Sequence, residues 1–389
     1  MRGNDMIYLD YAATSYPKSE EVYKAMEDVM RNVSVNAGRG SYHLAKKAEE
    51  LIIATRSKVA RLAAVPDIGQ VVFAPSATIA ANEILNGISW EAQDRILVSP
   101  YEHNAIMRTT EHLRQTKDLQ IDVLPLQPDT LEIDIAKSMD LIHLYKPKLI
   151  CLTQISNVTG YILPLEVLCK AAKEEQCLVC IDGAQGFGLL PLEPLKDCID
   201  FYLFAGHKSI GGPFGIGGYI NYSKYPLKPF LYGGNGSDSL NLSLPESGIK
   251  RYEVGSPDII AVAGLQAAIE NRVSYEVIYN HEQELIQYFR QQTADLDDMI
   301  LFAKDTPTEK CLGIQSFAIE GFLANEVGQI LDEEFDIAVR TGYHCAPLIH
   351  DALLSKPYGG TVRMSVGRYT TKEEIDRMVE ALEDIMEYG

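Results

Sequence analysis

No apolar run in the 389-residue sequence is long enough to cross a bilayer, so a membrane-spanning helix and a membrane partner are not expected. Residues 1–5 lack the basic start and apolar stretch of a secretory signal, which makes the cytoplasm the expected location. Positive charge is scarce: 35 Lys and Arg stand against 54 Asp and Glu, a net of −19. A surface that acidic repels phosphate backbones, which argues against a nucleic-acid partner while leaving room for a local basic pocket around a small anion. The seven cysteines, at 151, 169, 177, 180, 198, 311 and 345, are odd in number and scattered, so a disulfide framework is not expected. Cys177 and Cys180 form a C-x-x-C inside an apolar run that reads as a strand, where residues three apart face opposite ways. Internal repeats and low-complexity tracts are also absent.

The length suggests two unequal domains. Between residues 69 and 221 short apolar runs alternate with longer amphipathic ones, the rhythm of βαβ units. Strands are expected at 70–73, 96–98, 121–124, 149–152, 178–182, 201–204 and 217–221, with little polar interruption, as in a parallel sheet covered on both faces. Helices are expected at 20–29, 45–62 and 165–175. Beyond about residue 255 the pattern changes to one long helical stretch, 257–292, then mixed elements and a last helix at 372–387. Thr371 and Glu374 would form a capping box for that last helix. The division drawn from this is an N-terminal segment 1–15 packing with the small domain, a large domain 16–255 and a small C-terminal α/β domain 256–389.

The segment 201–218, FYLFAGHKSIGGPFGIGG, carries the most chemical information. It puts Lys208 just past a strand, at the carboxyl edge of the sheet, where open α/β folds bind ligands. A lysine desolvated there can present a neutral amine for a Schiff base; the alternative is a surface lysine in a loop. The glycines do not fit a P-loop, because His207 rather than glycine precedes the lysine. Nor do they fit a dinucleotide fingerprint, because Gly215-Ile216-Gly217 leads into a strand. Asp182 ends the neighbouring strand and could pair with a protonated pyridine nitrogen, or merely cap a helix after it. At Ser76-Ala77-Thr78 a strand gives way to a helix, a place for an anion or for a simple N-cap.

These pieces join Tyr8-Leu9-Asp10-Tyr11-Ala12-Ala13-Thr14, Glu102-His103, Ser156-Asn157-Val158-Thr159-Gly160 and Arg340-Thr341-Gly342-Tyr343-His344-Cys345-Ala346. In order and along essentially the whole chain they resemble the cysteine desulfurases and selenocysteine lyases, class V aminotransferase-like enzymes of pyridoxal-phosphate fold type I. The resemblance implies a large domain with a mostly parallel sheet flanked by helices, plus a smaller C-terminal α/β domain. It implies pyridoxal 5'-phosphate held by Lys208, with Asp182 at the pyridine nitrogen and His103 stacked on the ring. Asn157 and Gln185 would sit near the phenolic oxygen, and Ala77, Thr78 and His207 at the phosphate. Ser256 matches a position that reaches the phosphate of a second subunit, which implies a homodimer. Arg363 would bind the substrate α-carboxylate, with Arg340 and Asn157 beside it.

Cys345 matches the nucleophilic cysteine, and His344 and Arg340 are the neighbours that could favour its thiolate. Zinc on His344, Cys345 and His350 is not expected, since a fourth ligand at sensible spacing is missing. The implied reaction takes L-cysteine to L-alanine with a persulfide on Cys345, and a protein sulfur acceptor in sulfur metabolism such as iron–sulfur cluster assembly. Two alternatives stay open: an aminotransferase or β-eliminating lyase on another amino acid, and a noncatalytic scaffold of the same fold. Departures from the family pattern are Ile79, where an acidic residue is usual, and Pro75-Ser76 before the phosphate turn. Residues 340–346 look like the group II enzymes and 360–371 like group I.

Overall fold

The computed structural model describes residues 6–38, 40–234, 236 and 240–388, so the reading of residues 1–5 as lacking a leader lies outside the described residues. After a short first strand, β1 (Ile7–Tyr8), come β2 (Val71–Ala74), β3 (Arg95–Val98), β4 (Gln120–Val123), β5 (Leu149–Thr153), β6 (Leu178–Asp182), β7 (Phe201–Ala205) and β8 (Gly217–Asn221). The seven from β2 to β8 form one sheet in the order β2-β8-β7-β6-β5-β3-β4. Only β8 runs against its neighbours. Each expected strand is present with ends shifted by at most one residue, because a run buried on both faces is marked by its lack of polar positions. Every residue of β5, β7 and β8 is buried.

Strand alternation divides the interior into two cores. Ile150, Leu152, Val179, Ile181, Tyr202 and Phe204 face one way, against the helix Leu165–Glu174. Leu149, Cys151, Cys180, Phe201 and Leu203 face the other way, against helices Ala77–Gly87 and Asn104–Lys117. Each large apolar side chain so buried contributes about 1.5–3 kcal/mol relative to exposure. The C-x-x-C behaves as its spacing demands: Cys180 lies in β6 opposite Cys151 of β5, Cys177 precedes the strand, and all seven cysteines are free.

A second, antiparallel sheet has the order β12-β13-β10-β9, from β9 (Met299–Leu301), β10 (Ile314–Ile319), β12 (Arg340–Gly342) and β13 (Thr361–Ser365). The two-residue β11 (Ile337–Ala338) pairs in parallel with β1. A separate core gathers Phe289, Phe317, Leu331, Val362, Met364 and Leu382 with Ile7 and Leu9 from the N-terminal segment. The last helix, Lys372–Tyr388, begins at the expected capping box: the Glu374 amide donates to Thr371 Oγ1 at 3.3 Å, and the Thr371 amide donates to the Glu374 carboxylate at 3.0 Å.

The single helical stretch expected over 257–292 is corrected to two helices, Ile259–Glu270 and Tyr275–Gln292. Asn271 stands at the end of the first, whose start is capped by Asp258, and Ser274 at the start of the second. The first packs through Ile259 and Ala263 on Val29 and Ala48, residues of helices Glu20–Asn32 and His43–Leu62. Its contacts therefore lie on the large-sheet side of the division drawn at 255.

Candidate active site

The carboxyl ends of β2, β3, β5, β6 and β7 open on a cavity of about 230 Å³. Its wall brings together Ala77, Thr78, His103, Asn157, Asp182, Gln185, His207, Lys208, Arg340 and Arg363, ten residues expected from sequence to share a site. Parallel strands end on the same side of a sheet, so residues far apart in the chain meet there. Lys208 is half-buried, and desolvation pushes its pKa down to about 8 against the opposing pull of Asp182. Asp182 is buried and accepts the Ala184 amide at 2.9 Å in a turn, with no helix directly after it. It can thus face a cation across the cavity, which favours the first of its two sequence readings.

His103 caps the helix Asn104–Lys117, and its Nδ1 accepts the Ala105 amide at 3.0 Å. Burial, then the charge of Lys208, lowers its pKa to about 4, so the ring is neutral at neutral pH and suited to lie over an aromatic ligand. His207 is likewise held down to about 4 by burial, stacks on Phe214 at 4.4 Å and leaves Nδ1 buried without a partner. Ser76 does cap the helix Ala77–Gly87 through the Ile79 amide, and Ser76, Ala77 and Thr78 also line the cavity. Cap and anion site are therefore compatible, with the helix's positive end facing the open space. The glycine-rich turn after Lys208 holds Gly211 and Gly215 at φ of 83° and 85°, a region open to glycine without strain.

Arg340 and Arg363 are directly opposite each other on β12 and β13, so two guanidiniums share one face near Lys208. Arg363 is 1% exposed; its Nη1 donates to the Asn157 carbonyl at 2.9 Å and its Nη2 to Asp10 Oδ1 at 2.5 Å, while Nε is buried with no partner. Cys345 is half-buried next to His344 of the cavity wall, within electrostatic reach of Lys208, and Arg340 Nη2 lies 3.9 Å from its sulfur. His344 departs from expectation. Burial, with the charge of Arg363, drives its pKa well down, and Nε2 pairs with Thr361 Oγ1 at 2.7 Å. A neutral imidazole so engaged supplies no positive charge to the thiol; among the two expected neighbours, Arg340 is the one in contact.

Ser256 does not enter this cavity; it is exposed, with its hydroxyl accepting from Asn36 at 3.3 Å. The Asn157 and Gln185 amides donate to the carbonyls of His344 and Ala12, each at 2.8 Å. Sequence reading missed the anchoring of Lys208. The carbonyl of His207 accepts from Thr14 Oγ1 at 2.8 Å, Lys18 Nζ at 2.9 Å and the Ser15 amide at 3.1 Å. These donors lie some 190 residues away in the chain, and only the 8–14 motif hinted at them.

Fold and cavity together define an α/β enzyme whose ligand space is walled by a desolvated lysine amine and a buried aspartate. The chain belongs to the aminotransferase class-V family, whose model matches residues 7–378. It is 32% identical to a cysteine desulfurase of Serratia proteamaculans, over 99% of this chain and 94% of that protein. It is 30% identical to a probable cysteine desulfurase of Streptomyces coelicolor, over 99% and 93%. Among solved structures, the apo cysteine desulfurase of Thermococcus onnurineus superposes with a TM-score of 0.90 at 26% identity, covering 99% of this chain and 96% of that one. An Escherichia coli cysteine desulfurase bearing an S-sulfonic acid superposes with 0.85 at 27% identity, over 98% and 95%.

Proposed function

We propose that the protein is a pyridoxal-phosphate-dependent cysteine desulfurase, converting L-cysteine to L-alanine with the sulfur left as a persulfide on Cys345. The observation that carries this reading is the convergence of Lys208, Asp182 and Arg363 on one cavity, with Cys345 against Arg340 of its wall. The residues fit the cofactor. A desolvated amine of lowered pKa suits an aldehyde, a buried carboxylate suits a pyridinium, and a helix N-terminus beside the unpartnered Nδ1 of His207 suits a phosphate. Pyridoxal phosphate would supply an aldehyde for Schiff-base chemistry and a ring that takes up the electron pair released at the substrate's Cα.

The protein's own groups would do the rest. Lys208 Nζ would hold the cofactor at rest and move the Cα proton during turnover. Asp182 would keep the ring nitrogen protonated, and neutral His103 would stack on the ring. Asn157 and Gln185 each keep a second amide N–H for the phenolic oxygen beyond the bond already made. Arg363, with Arg340 and Asn157 beside it, would take the α-carboxylate. The Cys345 thiolate would attack the substrate sulfur, forming S–S as the substrate's Cβ–S bond breaks, so that one cysteine and one thiol give one alanine and one persulfide. Selenocysteine would serve by the same steps.

A homodimer in the cytoplasm, passing sulfur to a protein acceptor, completes the reading, with Ser256 reaching a partner's phosphate. The segment leading to Ser256 exposes Phe230, Leu231, Leu240 and Leu242, which supports a covering surface there. A division near residues 15 and 255, into an N-terminal segment, a large domain and a small one carrying Cys345 and Arg363, accompanies it.

Incubation with L-cysteine, followed by assay of alanine and protein-bound persulfide, tests this directly. Alanine and persulfide in equal amounts in the first turnover are expected. Pyruvate or a keto acid in place of alanine would overturn the assignment in favour of elimination or transamination. The lysine also gives a pH prediction. Its neutral fraction grows as pH rises through about 8, so apoprotein should capture pyridoxal phosphate faster up to roughly pH 9 and level off beyond. A capture rate still climbing toward the ordinary lysine value of about 10.4 would show that the amine is not desolvated.

A further inference from the structure

Asp10 belongs to the 8–14 motif, yet the sequence alone gives it no role. It lies 353 residues from Arg363 in the chain, and its Oδ1 takes an N–H of Nη2 at 2.5 Å. Because Arg363 is 1% exposed, a guanidinium without an anionic partner there would be costly. Asp10 and the Asn157 carbonyl each take one N–H, from Nη2 and Nη1, and the buried guanidinium nitrogen left without a partner is Nε. In a guanidinium, Nε–H and one Nη2–H form the side edge that grips a carboxylate with two parallel bonds.

Two roles for Asp10 are conceivable on this contact: a fixed orienter of Arg363, or a carboxylate that occupies the substrate's place and must swing away. The backbone and the local charge favour the first. Leu9 accepts from the Ser365 amide at 2.7 Å and donates to the Ala338 carbonyl at 2.9 Å. Tyr11 donates to the Ser365 carbonyl at 3.3 Å, and Ala12 to Ser365 Oγ at 3.0 Å. The Asp10 main chain is thus stapled between β11 and β13, the strand that carries Arg363, which fixes the origin of its side chain beside Nη2. Charge agrees: Arg340 and Arg363 stand side by side, and the carboxylate paired with them among the described ion pairs is Asp10 on Arg363, which leaves the Arg340 charge for an incoming α-carboxylate.

We propose that Asp10 is a positioning residue that fixes the Arg363 guanidinium as a carboxylate clamp, and so sets selectivity for α-amino acids over amines that lack the carboxylate. The proposal rests on the reading of the cavity as a pyridoxal-phosphate amino-acid site. Its test uses the holoenzyme and the change in cofactor absorbance on titration with L-alanine and with cysteamine, alongside KM and kcat for L-cysteine.

Asp10→Ala is expected to raise the half-saturating L-alanine concentration and the KM for cysteine by about tenfold or more, the usual effect of losing a charge-assisted hydrogen bond. Cysteamine should respond as in the wild type, and Asp10→Asn, which keeps an acceptor, should recover part of the loss. Unchanged or tighter L-alanine binding in Asp10→Ala would overturn the proposal, and so would equal losses for both amines. A wild-type holoenzyme that responds to neither amine would instead refute the underlying reading of the cavity.

Discussion

Lys208→Ala is expected to abolish turnover of L-cysteine by roughly 10³-fold or more, since it deletes the group proposed both to hold the cofactor and to move the Cα proton. It should also remove the visible absorbance of the lysine–cofactor Schiff base while leaving the thermal unfolding transition in place. The size of the effect reflects the lack of a substitute. Among the described residues lining the cavity, Lys208 is the only lysine. Lys18 lies close by on the second cavity that Lys208 borders, but its amine is tied to Ser15 Oγ at 2.8 Å, the His207 carbonyl at 2.9 Å and Thr14 Oγ1 at 3.2 Å. It serves to position the Lys208 peptide. A Lys208→Ala protein that kept both the lysine-type absorbance and turnover would place the reactive amine elsewhere.

Much of this site could be read from the sequence because it is built from strand ends. Asp182 and Lys208 stand at the ends of adjacent parallel strands, and a buried apolar run betrays such strands without knowledge of their neighbours. The break at 271–274 escaped notice because apolar periodicity continues on both sides of it, and only Asn271 and Ser274 mark the interruption. Other features depend on tertiary register. The opposition of Arg340 and Arg363 requires the pairing of β12 with β13, and the contact of Asp10 with Arg363 requires the N-terminal segment to lie beside β13. The neutrality of His344 depends on burial, which no local signal encodes. Local chemistry names candidate residues; packing decides their charge and their partners.

Cys345→Ser should lower alanine formation from L-cysteine under reducing conditions by roughly 10²-fold or more, with the cofactor absorbance and the fold retained. The side chains are nearly the same size, so the comparison isolates the nucleophile: a serine hydroxyl is not appreciably ionised near neutrality, whereas a thiolate is the reactive form of cysteine. Loss through a collapsed loop is not expected. His344 and Cys345 both occupy the left-handed region, with φ of 46° and 57°, a conformation that costs a non-glycine residue of order 1–3 kcal/mol. Three bonds hold it there: the Asn104 amide to the Cys345 carbonyl at 2.6 Å, Asn157 Nδ2 to the His344 carbonyl at 2.8 Å, and the Ala346 amide to the Tyr343 carbonyl at 2.9 Å. None of them involves the sulfur, so serine should sit where the thiol did. The loop is anchored to the same Asn157 whose carbonyl receives Arg363, which ties the nucleophile's position to the carboxylate site. Alanine released at the wild-type rate by Cys345→Ser would mean that sulfur leaves without this thiol, and the protein would then be an eliminating or reductant-driven lyase.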